Sequence, residues 1–255
     1  MLQLRAIATN TFREAIRDRV LSSLLFFAAL VILGSLAVEN ITIGDQAKVV
    51  RSVAFGSIRF FGAMIALFLG VGLVYKELER KTIYTIVSKP IGRGRFLLGK
   101  FAGLMAVLAV QLLAMGGLYI LLMTFTQGAP AGSFYAALLL LWVELGLLVA
   151  WAMLFSTSSA PTTAALFSLS VFFIGHLADD IWRYGQNAES QSVRNLAEWL
   201  YWGLPNFEVL NGSHNAVHMQ SFSTAHLTGS LCYGLGYTVA VLCVAVFVFS
   251  KRDFN

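Results

Sequence analysis

The chain has 255 residues, of which 58% are hydrophobic and only 12% are charged, and its formal net charge is +5. A soluble domain carries about a quarter charged residues, and it cannot hide so large an apolar surface from water. The composition therefore excludes an ordinary soluble enzyme or binding domain and predicts an integral membrane protein.

The first predicted element is an amphipathic segment that precedes every continuous apolar run. Apolar residues between Leu4 and Val20 recur every three or four positions. Most charged residues of this segment fall on the other face: Arg5, Arg13, Glu14, Arg17 and Asp18. This spacing predicts an N-terminal interfacial helix over residues 4–19 that lies along the membrane surface.

Six apolar runs follow, and each is compatible with a helix that crosses a hydrocarbon core, which requires about 20 residues. They cover approximately residues 20–38, 53–75, 101–125, 134–155, 161–178 and 227–249. Arg59, near the start of the second run, can extend its side chain to the interface. We expect an all-α integral membrane protein in which residues 1–255 form one transmembrane domain of six helices.

The distribution of basic residues predicts the orientation of these spans. With the N-terminus inside, the cytoplasmic segments hold thirteen of the eighteen Lys and Arg residues, and the outer segments hold five. Short cytoplasmic loops carry an excess of such residues in membrane proteins. We therefore expect both termini in the cytoplasm, and the positive net charge requires no nucleic acid partner.

The predicted cytoplasmic loop of residues 76–100 combines charge with a short apolar stretch. It opens on a dense charged cluster of Lys76, Glu77, Glu79, Arg80 and Lys81. Ile83, Ile86 and Val87 follow, and Pro90 ends the helical pattern because the residue before a proline avoids helical geometry. A short helix of this kind is suited to docking a partner. The alternative is a solvated connector whose charges only determine topology.

The order of these motifs resembles the first cytoplasmic loop of ABC exporter permeases of the second type, in particular small six-span permease subunits. The matching positions are Glu77, Glu79, Arg80, Lys81, Thr82, Ile83, Ser88, Lys89 and Pro90, with Gly99 and Lys100 opening the third span. Residues 204–207, Leu-Pro-Asn-Phe, and residues 249–254 are also similar to that family.

The resemblance implies a permease subunit of an ATP-driven exporter in the bacterial cytoplasmic (inner) membrane. The matching positions would form a coupling helix that docks into a separate ABC ATPase subunit. Two ATPase copies are expected, together with a homodimer of this chain or a dimer with a similar permease, surrounded by membrane lipid. ATP and Mg²⁺ are expected on the partner ATPase, so this chain is not an enzyme by itself.

Residues 94–101 come close to a phosphate-binding loop, because Gly94, Gly99 and Lys100 have the required spacing. That motif needs Ser or Thr after the lysine to hold magnesium, and it must open a soluble helix. Phe101 occupies the hydroxyl position, and a predicted span follows. We therefore expect no nucleotide or other cofactor on this chain.

The predicted outer loop, residues 179–226, contains aromatic residues typical of a membrane interface, including Trp182, Trp199 and Trp202. The helical spacing of Leu196, Trp199 and Leu200 predicts short external helices before the last span.

Histidines in the same loop raise the question of a metal site. His214, His218 and His226 share the loop with Glu208, and the first two are four residues apart, which one helix face presents together. Gly212 and the polar residues around it argue against a helix there. We expect solvated histidines and no metal.

Glu144 is the one acid deep within a predicted span. Charges inside a membrane are costly and suggest function, such as a place on a substrate path, in a dimer interface or in proton binding. The structural alternative is a carboxyl that is protonated or paired with Gln111 or a hydroxyl. Glu144 also supports a second function, a proton-coupled secondary transporter, while a membrane scaffold is a more distant third.

Overall fold

The computed structural model describes residues 2–39, 45–79, 92–126 and 128–251, and in these residues the chain is helical without strands. Its α-helices are α1 Leu2–Ile16, α2 Arg19–Glu39, α3 Gln46–Glu79, α4 Arg93–Thr126, α5 Gly132–Ser158, α6 Pro161–His176, α7 Ala178–Gln186, α8 Gln191–Gly203, α9 Ser213–His218 and α10 Thr224–Lys251. A single 3-10 turn, Glu208–Leu210, precedes α9. The predicted all-α fold is confirmed.

Five of the described helices, α2, α3, α4, α5 and α10, are long and apolar enough to cross a membrane. The fifth predicted span instead forms α6, which has 16 residues and is shorter than a usual crossing. Pro161 occupies the first turn of α6, where its missing N–H costs nothing. α6 and α7 qualify as a sixth span only as a pair, and the pair is bent by 61°.

α3 and α4 extend well beyond the apolar runs that predicted them. Each has 34 residues, which corresponds to about 51 Å at the usual helical rise. The helices can continue through their polar flanks because helical backbone hydrogen bonds are made within the helix itself and do not require an apolar surrounding. Arg59 therefore lies well inside α3, and the Gly94–Phe101 stretch belongs to α4 rather than to a phosphate-binding loop.

α1 is packed along α4 through two glycines. A Cβ atom at Gly103 would lie 2.6 Å from the carbonyl oxygen of Ala8, and one at Gly99 would lie 2.9 Å from Cγ2 of Ile7. Thr11 and Ala15, on the same side of α1, are buried. The N-terminal helix is therefore attached to the bundle, with Arg5, Arg13 and Arg17 exposed.

α5 is the central helix and contacts α3, α4, α6 and α10. Small residues permit these contacts, since a Cβ at Gly70 of α3 would lie 2.7 Å from the Cβ of Ala152. The hydroxyl of Ser156 donates to the carbonyl oxygen of Val71 at 3.2 Å. α3 and α5 are thus in close contact along much of their length, which positions the side chains described below.

The first turns of α4 are attached to the end of α10. The Nη1 atom of Arg93 donates to the carbonyl oxygen of Ser250 at 2.9 Å, and the rings of Phe96 and Phe249 stack at 6.3 Å. The Nζ atom of Lys100 lies 5.6 Å from the centroid of Phe96, and the lysine is buried. α1, α4 and α10 therefore meet at one end of the bundle.

Candidate functional site

The 204–218 segment, which follows α8, folds back against the bundle. The backbone N–H of Phe207 donates to the carbonyl oxygen of Gly175 at 2.9 Å. A Cβ at Gly175 would lie 2.6 Å from the carbonyl oxygen of Pro205, so only glycine permits this approach. Phe207 and Leu210 are completely buried. This part of the predicted outer loop is therefore inserted between helices, whereas Trp199 and Trp202 of α8 are exposed.

Asn206 holds the start of this segment in place. Its Nδ2 donates to Oδ1 of Asp179 at 2.7 Å, and its Oδ1 accepts from the backbone N–H of Glu208 at 2.9 Å. The phenol oxygen of Tyr233 in α10 accepts from the backbone N–H of Asn206 at 2.8 Å. The Leu-Pro-Asn-Phe sequence that resembles the family thus connects α7, α10 and the end of α6.

Arg59 of α3, Glu144 of α5 and His176 of α6 meet beneath this segment and form a charged cluster. Nε of Arg59 lies 3.4 Å from Oε1 of Glu144, and Nη2 of Arg59 lies 2.6 Å from Nε2 of His176. The same histidine nitrogen is 3.1 Å from Oε1 of Glu144. Three helices that are distant in sequence are therefore linked by one set of polar contacts.

The cluster is buried on one side and partly open on the other. Glu144 is 1% exposed, whereas the side chains of Arg59 and His176 are each 18% exposed. The 204–218 segment covers it with the ring of Phe207, which stacks on the imidazole at 5.2 Å. Ser213 adds a weak contact, with Oγ 3.5 Å from Nη1 of Arg59.

The structure brings together residues that the sequence did not connect. Of the alternatives left open for Glu144, pairing with Gln111 is not observed, because the buried amide of Gln111 has no hydrogen-bond partner among the described residues. Arg59 does not extend to the interface but turns toward Glu144. Arg59 and His176 each lie toward the predicted outer side of a span. This shared depth was the only feature of the sequence that could have suggested a contact between them.

The predicted coupling residues are only partly within the described chain. Glu77 and Glu79 belong to the last turn of α3. Seven others lie outside the described residues: Arg80, Lys81, Thr82, Ile83, Ser88, Lys89 and Pro90. Their role stays a prediction.

His214 and His218, which belong to the predicted outer loop, lie at the protein surface. α9 forms although Gly212 argued against a helix, with Gly212 serving as the residue before its first turn. The rings of His214 and His218 stack at 4.3 Å. Local desolvation and the charges of Lys48, His214 and Arg51 lower the pKa of His218 from 6.5, while Asp45 opposes this. In the described part of the chain, no three potential ligands cluster around a metal position.

Comparison with known proteins agrees with the resemblance seen in the sequence. The family described as ABC-2 family transporter protein matches residues 5–254. The probable ABC transporter permease protein NosY of Stutzerimonas stutzeri is 31% identical over 157 residues, which cover 60% of this chain and 51% of NosY. The match thus spans about half the length of that relative. Since the family match covers nearly the whole chain, the protein is a multi-pass membrane protein of the ABC-2 transporter family.

Proposed function

We propose that this chain is the transmembrane permease subunit of an ATP-driven ABC exporter and that α3 couples ATP hydrolysis to movement of the substrate. Family membership supports a permease, and the printed name of the relative NosY also describes an ABC transporter permease. The energy source in this proposal is a separate ATPase subunit that binds ATP and Mg²⁺.

The continuity of α3 is the observation that carries the proposal. α3 runs without a break from Gln46 to Glu79, so Arg59 and the acidic start of the coupling loop belong to one helix. Glu77 lies about 27 Å from Arg59 along the axis at the usual rise of a helix. A displacement imposed on the coupling loop therefore reaches the charged cluster through a rigid element, as in other rigid-body transitions.

The proposed assembly contains two permease subunits and two ATPase subunits. The permease pair is a homodimer or includes a similar permease, and the substrate path lies between the subunits. Both termini and the coupling loop of residues 76–90 face the cytoplasm of a bacterium, so the 204–218 segment lies on the outer side of the inner membrane.

Co-purification in a mild detergent tests the coupling assignment. The wild-type chain is expected to retain an ABC ATPase, and Glu77→Lys combined with Glu79→Lys is expected to release it while the protein remains inserted. The matched control is Glu189→Lys with Glu198→Lys, which makes the same charge change in the outer loop. Retention of the full amount of ATPase by the Glu77/Glu79 variant would contradict the proposal.

A proton-coupled secondary transporter is the second candidate, and the burial of Glu144 beside His176 favours it. Membership of the ABC-2 family favours the ATP-driven subunit. The two differ in energy source: depletion of ATP with the proton gradient preserved should stop transport by the exporter and leave transport by the alternative intact.

A further inference from the structure

We propose that Arg59, Glu144 and His176 form a proton-binding site, in which a proton displaces the guanidinium of Arg59 from His176. The inference concerns the charged cluster alone and does not depend on the energy source of the transporter.

The contact of His176 with its own helix determines the position of the first ring proton. Nδ1 lies 2.8 Å from the carbonyl oxygen of Phe172. A carbonyl oxygen only accepts hydrogen bonds, so Nδ1 carries a proton. In the neutral ring, Nε2 is then the acceptor, and the Nη2 of Arg59 donates to it at 2.6 Å.

The guanidinium brings two acceptors together. Its donors form a rigid planar fork, and here Nε is directed to Oε1 of Glu144 while Nη2 is directed to Nε2 of His176. Those two acceptor atoms are 3.1 Å apart, which is the separation of an N–H···O hydrogen bond. With a neutral imidazole and an ionised carboxylate, both present lone pairs across this gap.

One proton from water fits this gap without a movement of the helices. It forms an N–H bond at Nε2 of His176, and the resulting imidazolium donates to Oε1 of Glu144. Nε2 then has no lone pair for Arg59, so Nη2 loses its acceptor. The positive charge gained by His176 also repels the guanidinium, since both cations are then within hydrogen-bond range of one carboxylate.

Few polar groups surround the imidazole of His176 and compete for its Nε2 atom. α3 contributes Arg59 and α5 contributes Glu144, whereas α6 contributes the carbonyl of Phe172. The 204–218 segment contributes a stacked aromatic ring and the hydroxyl of Ser213. Among the described residues, no other charged side chain forms a hydrogen bond or ion pair with the imidazole. The partial exposure of Arg59 and His176 allows a proton to enter.

Proton uptake has a consequence for the proposed transporter, and this consequence does rest on the proposed function. Loss of the Nη2 contact removes one polar link between α3 and α6, and reorientation of the guanidinium would also disturb its contact with Ser213. The closure of the outer side by the 204–218 segment would then weaken when the site is protonated.

Nuclear magnetic resonance of the full chain, reconstituted in lipid with ¹⁵N-labelled histidine, tests the site directly. Correlation of ring nitrogens with ring carbon-bound protons reports the protonation of each nitrogen, and His176→Gln identifies the His176 signals. At alkaline pH we expect a proton on Nδ1 and none on Nε2, and at acidic pH protons on both. A proton on Nε2 alone at alkaline pH would overturn the proposal, and the wild-type chain supplies this observation once its His176 signals have been assigned.

Two variants test the competition in opposite directions. Arg59→Met removes the competing cation, so uptake of the proton should move to higher pH. Glu144→Gln removes the carboxylate that accepts from the imidazolium, so uptake should move to lower pH. The ring-nitrogen signals of His226, which lies outside the cluster, should stay in place in both variants. Unchanged uptake in both variants would overturn the proposal whether or not an ATPase binds.

Discussion

The imidazole of His176 and the ring of Phe207 are stacked, with their centroids 5.2 Å apart and their planes 21° from parallel. This contact joins the charged cluster to the 204–218 segment. Phe207 also donates its backbone N–H to Gly175, the residue next to His176. Docking of the segment and the environment of the cluster are therefore expected to change together.

Gly175→Val should undock the 204–218 segment. The added side chain would collide with Phe207 and with the carbonyl oxygen of Pro205, which lies 2.6 Å from the Cβ position. Forcing extra volume into a packed site costs about 1–3 kcal/mol. Faster cleavage within residues 204–218 by a nonspecific protease, added to the protein in detergent, measures the effect. Gly203→Ala, where a Cβ meets nothing within 4 Å, is the control. An unchanged cleavage rate in Gly175→Val would show that the segment is held by other contacts.

Gly72→Pro should uncouple the proposed ATPase from the part of α3 that carries Arg59. Proline removes a helical hydrogen bond and kinks the helix, at a cost of about 3 kcal/mol. We expect the proposed ATPase to remain bound while substrate-dependent ATP hydrolysis is lost. Gly72→Ala is the matched control, because a Cβ at this position has open space. If the proline variant hydrolyses ATP at the wild-type rate, α3 does not need to be continuous.

Glu144→Leu should destabilise the bundle by leaving Arg59 and His176 without their carboxylate. A buried group that loses its partner costs about 1–3 kcal/mol. Glu144→Gln keeps an oxygen that accepts hydrogen bonds, and its loss should be smaller. Unfolding in mixed detergent–SDS micelles measures both, and a double-mutant cycle with Arg59→Met should give a coupling of about 0.5–3 kcal/mol. Strict additivity would mean that the 3.4 Å contact of Arg59 with Glu144 contributes nothing.

His218 should make the protein less stable as the pH falls. Its pKa in the folded protein is below 6.5, lowered by desolvation and by Lys48, His214 and Arg51. Below pH 6.5 the unfolded chain therefore binds more protons at this residue than the folded chain does. The stability is fully present above that pH and decreases as the pH drops toward the lowered pKa.

His218→Gln should accordingly flatten the decrease in unfolding temperature between neutral and mildly acidic pH. His226→Gln, a change of the same kind in the same predicted outer loop, serves as the comparison. Equal pH dependence in wild type and His218→Gln would contradict the assignment. The effect is expected to weaken at high salt, because Lys48 and His214 are exposed to solvent and their charges are screened.

Hydropathy predicted most of the helices because a membrane-crossing segment depends on its own residues. The bend between α6 and α7 could not be predicted in this way, because the residue at the junction is Leu177 and not a proline or glycine. The bend is stabilised by tertiary contacts. Asn206 donates a side-chain hydrogen bond to Asp179, and the backbone N–H of Phe207 donates to the carbonyl oxygen of Gly175. Such contacts join residues about thirty positions apart, and the periodicity of apolar residues within one helix does not predict them.

The charged cluster illustrates the same limit. Glu144 was identified because an acid within an apolar run is unusual, whatever surrounds it. Its partners could not be identified, because Arg59 and His176 each have an ordinary explanation near a membrane interface. Only the packing of α3, α5 and α6 shows that both side chains reach the same carboxylate oxygen.

The seating of α1 on Gly99 and Gly103 has a mechanical consequence. The proposed coupling loop follows α3 and precedes α4 in the chain, and these two helices are restrained by different neighbours. α4 is packed against α1 along its side and against α10 at its first turns, and these contacts resist its displacement. α3 is held along its length by α2 and α5, so a force from the proposed ATPase would displace α3 together with these helices and carry their motion to the charged cluster.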